Sequence, residues 1–154
     1  ETTANQLSLC ILSVLSSAEL AALLRADPSL TPVAVAEIMR LSPALSVMFP
    51  RVAVERMSIA GRTVEAGDPV LVSVVDANRR RREATARHFT FGHGVHRCIG
   101  APLARLQLTE ALHGLVERFP AAEPAEDPSA LAWKAGQASR GLSRLYVNLA
   151  PTAR

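Results

Sequence analysis

The segment 91–100, FGHGVHRCIG, packs three glycines, two histidines, an arginine and one of the chain's two cysteines into ten residues. Cys98 stands just ahead of an apolar stretch that reads as a helix. The first N–H groups of a helix lack partners and carry partial positive charge, which suits an anionic sulfur. A thiolate can act as a nucleophile, a redox centre or a metal ligand. Gly92, Gly94 and Gly100 let the backbone bend tightly and approach a flat object closely. The residue types alone leave two plain readings open. One is a small buried cysteine at a helix start. The other is a zinc site drawing N and S donors from His88, His93, His96 and Cys98. Closed zinc sites usually take ligands from two loops, and these four share one short stretch.

The elements around this loop are legible from periodicity. Residues 5–16 predict a helix with Leu7, Ile11, Leu12, Val14 and Leu15 on a broad buried face. A second helix is expected over 17–25, opened by a serine cap signal. A third is expected over 33–41, with Val33, Ala34, Ala36, Ile38 and Leu41 as its apolar contacts, ended by Pro43. From 51 to 75 the period shortens to that of strands, predicted at 51–54, 57–59, 63–64 and 70–74. The stretch 78–87, NRRRREATAR, reads as a charged loop. Residues 102–119 predict a long amphipathic helix with Leu103, Leu106, Leu112, Leu115, Val116 and Phe119 as its stripe and Pro102 in the first turn. Residues 120–129 read as a loop, and the tail over 130–150 as a closing hairpin.

Composition narrows the class. Of 154 residues, 49% are hydrophobic and 20% charged, as in a globular domain with its own core. Aromatics are 4%, so Leu, Val, Ala and Ile must build that core. The net charge is +3, and Lys134 is the only lysine. That small excess permits an acidic partner but does not demand nucleic acid. Nor does a reading motif or a set of stacking aromatics accompany the arginines at 79–82. Cys10 sits in the apolar run LSLCILSVL, as a buried thiol would. Two cysteines in unlike settings do not form a secreted disulfide framework. The run is too short to span a membrane, and no signal-peptide pattern surrounds it. A reducing, cytoplasmic setting is expected.

The segment FGHGVHRCIG resembles the haem-ligand signature of the cytochromes P450, F-x-x-G-x-[HR]-x-C-x-G. Phe91, Gly94, His96, Cys98 and Gly100 all fit it. The resemblance implies haem b with Cys98 as the axial thiolate, which pushes electron density to iron. It also implies that Phe91 shields the sulfur and that His96 meets a haem propionate, with Gly92 in the same loop. Glu37-Ile38-Met39-Arg40 is similar to the family's E-x-x-R motif, a structural i,i+3 pair. Arg51 falls where the family places a second propionate ligand, and a guanidinium fork suits a carboxylate. ETTANQ resembles the middle of the family's I helix, with Glu1 and Thr2 as the acid–alcohol pair that serves oxygen activation.

The implied fold is mainly α with small β-sheets, the C-terminal part of a P450. Its parts would be the end of the I helix at 1–16, the K helix at 33–42, a β-rich segment at 51–75, the cysteine loop at 91–100, the L helix at 101–119 and a C-terminal hairpin at 130–150. The chain would begin at the middle of the I helix, and its meander is short. The family's P-x-R-F arginine has no clear equivalent, leaving Arg79, Arg80, Arg81, Arg82 or Arg87 as substitutes. The implied function is monooxygenation of a small organic substrate, with electrons from a ferredoxin-type donor docking on Arg97, Arg105 and the arginines at 79–82. The alternative is a non-catalytic remnant or haem-binding interaction module. Apolar helix faces left bare would favour self-association.

Overall fold

Four helices make the core of the computed structural model, which describes residues 1–80, 88–135 and 139–149. They are α1 (Thr2–Leu15), α2 (Ala18–Ala26), α3 (Thr31–Leu41) and a long helix at Ala101–Arg118. A fifth, six-residue helix, α4, runs Val74–Arg79, so the long helix is α5. Helix α5 packs against α1, α2 and α3. The buried cluster between them is Cys10, Val14, Leu24, Val35, Ile38, Met39, Leu108, Leu112 and Val116, with Phe91 partly buried against it. It contains no aromatic ring of its own, as the scarcity of aromatics required.

Local sequence explains where the helices begin. The Ser17 hydroxyl accepts the Leu20 N–H and caps α2. Pro32 sits in the first turn of α3 and Pro102 in that of α5, where a missing N–H costs nothing. Helix α3 ends at Leu41, ahead of Pro43.

Among the described residues three small antiparallel sheets flank the helices. β1 (Arg51–Val52) pairs with β4 (Pro69–Val70), and β2 (Met57–Ile59) with β3 (Arg62–Val64). β5 (Glu123–Pro124) pairs with β6 (Val147–Asn148). The β2–β3 turn passes through Ala60 and Gly61, both at positive φ.

Several expectations are corrected. The strand over 70–74 stops at Val70, and Val74 instead starts α4. Ser73 caps that helix by accepting the Asp76 N–H, so the capping chemistry overrides the β-branched run. Residues 78 and 79 are therefore helical, while 81–87, including Arg81, Arg82 and Arg87, lie outside the described residues. The first strand ends at Val52, two residues short. Helix α5 turns Ala101, Leu108, Leu112 and Val116 inward and leaves Leu103 and Leu106 exposed. Helix α3 buries Val35, Ile38 and Met39, with Val33 and Leu41 outside. Among the described residues the tail hairpin keeps one isolated bridge, Trp133 to Leu142, flanked by the Lys134 N–H to Gly141 O and Ser143 N–H to Ala132 O bonds, and its regular strand pairs with the segment read as a loop. Among the described residues no single helix is long and apolar enough to cross a membrane.

Candidate functional site

The cysteine loop leads directly into α5. Gly92 and Gly94 take φ of 74° and 70°, a region closed to most side chains. The Gly92 N–H donates to Phe89 O, and the Cys98 N–H donates to Phe91 O, each at 2.8 Å. A single 3₁₀ turn, Gly94–His96, lies between them. Gly100 is the N-cap of α5, and its O accepts the Ala104 N–H. A methyl group on Gly92 would sit 3.3 Å from Met48 Cε. The loop thus brings Cys98, exposed, to the head of an 18-residue helix.

Asn78 holds the entrance to this loop, and sequence reasoning missed it. Its side chain is fully buried. Asn78 Oδ1 accepts the Phe89 N–H at 2.6 Å, and Nδ2 donates to Thr90 Oγ1 at 3.1 Å. The Thr90 hydroxyl in turn donates to Met39 O on α3 at 2.8 Å. Arg40 grips Glu37 with two nitrogens, at 2.7 and 2.6 Å, and donates to Asn78 O through a third at 2.9 Å. The i,i+3 pair expected of Glu37 and Arg40 is therefore present, and it reaches α4 as well. The guanidinium beside Glu37 holds its carboxyl below the usual range.

His88 lies at the same junction. Both ring nitrogens are buried without a hydrogen-bond partner. Its ring is 6.0 Å from that of Phe91. Burial pushes the imidazole below its usual range, and the Arg105 and Arg40 charges push the same way. Arg105 stacks over Phe91 with Cζ 5.3 Å from the ring centre.

A cavity of about 640 Å³ opens beside the loop. Thr2, Arg51, Phe91, Gly92, His96, Cys98 and Gly100 all line it. Gly94, Glu1, Glu37 and Arg40 do not. Met39, Met48, Phe49 and Leu108 supply apolar wall, none of them singled out from the sequence. Gln6, also on the wall, donates to Ser42 O and accepts the Ala44 N–H, tying α1 to the chain after α3. Glu1 turns away, its Oε1 accepting the Ser139 hydroxyl at 3.3 Å. The zinc reading fails: no three His, Cys, Asp or Glu among the described residues are placed to hold a metal ion.

A helical core with three two-stranded sheets and a cysteine loop feeding a long helix defines a P450-type domain. A sequence profile of the family described as "Cytochrome P450" matches residues 75–136. The chain is 37% identical over 159 aligned positions to the mycinamicin IV hydroxylase/epoxidase of Micromonospora griseorubida, covering 96% of this chain and 40% of that protein. It is 40% identical to the nocardicin C N-oxygenase of Nocardia uniformis subsp. tsuyamanensis, over 96% of this chain and 40% of that one. The crystal structure of CalO2 superposes with a TM-score of 0.92 at 29% identity, covering 99% of this chain and 41% of that one. The tirandamycin C-bound monooxygenase TamI gives 0.91 at 36%, covering 97% and 40%. The fold is that of the C-terminal portion of a cytochrome P450, and residues 75–136 carry the family's profile. The chain spans about 40% of the length of these relatives, their C-terminal portion.

Proposed function

We propose that this chain carries the haem-binding half of a haem-thiolate monooxygenase site, with Cys98 as the axial ligand. The observation that carries the reading is one cavity of about 640 Å³ that gathers the Cys98 thiol, the Arg51 guanidinium, the His96 imidazole and the Thr2 hydroxyl. The residues present fit a haem. The sulfur is presented by a loop whose Gly92 leaves space that a Cβ would take from Met48. The wall is largely apolar, and the two N–H donors suit propionates. The match to F-x-x-G-x-[HR]-x-C-x-G supports the same assignment.

Haem, when bound, supplies the redox iron that activates dioxygen. The chain's own residues do the rest. Cys98 offers sulfur from the head of α5, where the helix dipole favours negative charge. The Phe91 ring would shield the sulfur with haem in place, and Gly94 and Gly100 shape the bend. Arg51 and His96 would hold the haem's carboxylates through their N–H donors. Thr2 holds a proton at its hydroxyl on the cavity wall, and Glu1, next to it in the chain, is the acid that serves it. Glu37 and Arg40 are structural: they anchor α3 to α4 and, through Asn78, to the cysteine loop. The substrate is a small organic molecule. The electron donor is a ferredoxin-type protein meeting Arg79, Arg97 and Arg105, all exposed.

A second reading, a non-catalytic haem-binding or interaction module, draws on exposed apolar residues. Phe49 is 72% exposed and Ile99 fully so. Sedimentation reads self-association directly.

The test of the first reading is the absorption spectrum of the reduced, CO-treated protein. A Soret band shifted strongly to the red marks thiolate-ligated iron, and Cys98→Ser abolishes the shift. Protein that takes up no porphyrin when offered it overturns the assignment.

A further inference from the structure

A line of three hydrogen bonds joins the two ends of the chain. Lys134 Nζ donates to Asn5 Oδ1 at 2.8 Å, Asn5 Nδ2 donates to Ser139 Oγ at 2.8 Å, and Ser139 Oγ donates to Glu1 Oε1 at 3.3 Å. Every donor points the same way, from an ammonium at one end to a carboxylate at the other. Asn5 is 3% exposed and Ser139 6%, so both links are shielded from water. Hydrogen bonds aligned in this way polarise one another.

The backbone is built to allow the approach. A side chain on Gly141 would collide with Asn5 Oδ1 and Cγ. The Lys134 N–H donates to Gly141 O at 2.9 Å, holding the lysine beside that glycine. Ser139 bridges Leu45, and the Arg140 N–H donates to Ala44 O at 2.6 Å, fixing the tail to the segment after α3.

We propose that Ser139, backed by Asn5 and Lys134, is a positioning residue that fixes the Glu1 carboxylate behind the cavity wall that Thr2 lines. This rests on the reading of Glu1 as the acid for Thr2. Thr2 reaches the cavity and Glu1 does not. The carboxylate therefore works from behind the wall, and its orientation depends on what grips it there. Ser139 is that grip. Its hydroxyl can accept from Asn5 and donate to Glu1 at once, as no apolar side chain could. Lys134 supplies the charge complementary to Glu1 from three hydrogen bonds away.

The experiment has two arms. In the first, solvent exchange of the Asn5 side-chain amide is followed by NMR on the full chain, with or without porphyrin. Glu1→Ala removes the far end of the line and accelerates that exchange roughly fivefold, as loss of a supporting hydrogen bond should. Ser139→Ala accelerates it as much, and adding Glu1→Ala to Ser139→Ala then changes nothing. Ser139→Thr keeps the hydroxyl and restores the coupling. Asn5 exchange indifferent to Glu1→Ala overturns the proposal. In the second arm, peroxide released per electron pair is measured on haem-loaded protein with a reductase pair. Glu1→Gln and Ser139→Ala both raise it, and Ser139→Thr returns it toward the parent level. A rise with Glu1→Gln alone overturns the role of Ser139. No rise with Glu1→Gln overturns the reading of Glu1 instead, while the first arm still reports on the line.

Discussion

Asn78 Oδ1 receives the Phe89 backbone N–H at 2.6 Å, and through this bond α4 sets where the cysteine loop begins. The same residue's carbonyl accepts from Arg40, and its amide nitrogen holds Thr90. One buried side chain thus couples the Glu37–Arg40 pair to the loop that ends at Cys98. Asn78→Ala removes an acceptor and a donor from a fully buried site. The expected loss is about 2 to 3 kcal/mol in urea unfolding, with faster hydrogen exchange at Phe89. Unchanged stability would remove Asn78 from this role.

His88 makes stability depend on pH. Burial beside Arg105 and Arg40 lowers its pKa, with Glu37 opposing them. The unfolded chain therefore binds this proton more readily than the folded one. Stability is whole above the ordinary imidazole value of 6.5 and falls as pH drops below it toward the lower folded value. One proton limits the slope to about 1.4 kcal/mol per pH unit. His88→Leu flattens this step in urea midpoints measured between neutral and mildly acidic pH. Glu37 then contributes a separate loss further down, as its lowered carboxyl protonates.

Gly92 is held by backbone geometry and by a neighbour. Gly92→Ala places a Cβ in the left-handed region, at a cost of about 1 to 2 kcal/mol. It also presses that Cβ against Met48. Denaturant unfolding measures the first effect. A Gly92→Ala, Met48→Ala double variant relieves only the second.

The α5 core stripe gives an internal control. Leu112 is fully buried, and Leu112→Ala should cost about 2 to 5 kcal/mol in urea unfolding. Leu103 is 60% exposed, and its replacement by Ala should stay within about 0.5 kcal/mol. Equal losses at the two positions would mean that the helix is rotated from the orientation described.

The helices were legible because α2, α3 and α5 carry a cap or proline at their starts and all four core helices have enough apolar residues for a face. The face itself was harder. Helix α5 offers leucines at 103 and 106 as well as at 108 and 112, and periodicity cannot choose between overlapping stripes. Helix α4 was hidden by four β-branched residues at 70, 72, 74 and 75, although Ser73 and Asp76 already spelled a cap. Asn78 sits beside arginines and looked like a loop residue, since its burial depends on partners distant in sequence. The Cys98 loop stood out for the opposite reason: its chemistry is local. Ser139 and Lys134 could not be found, because their link to Glu1 and Asn5 spans more than 128 positions of chain.

Cys10 is sealed inside the helical core, and burial drives its thiol up to about 11. At neutral pH that sulfur stays inert toward alkylating reagents and oxidants alike. Cys98 is left as the single addressable thiol in the molecule, exposed at the surface. A maleimide dye or spin label can therefore report on one site without mutating the other. Protection of that site when porphyrin is added would turn simple labelling into a meter of ligand occupancy.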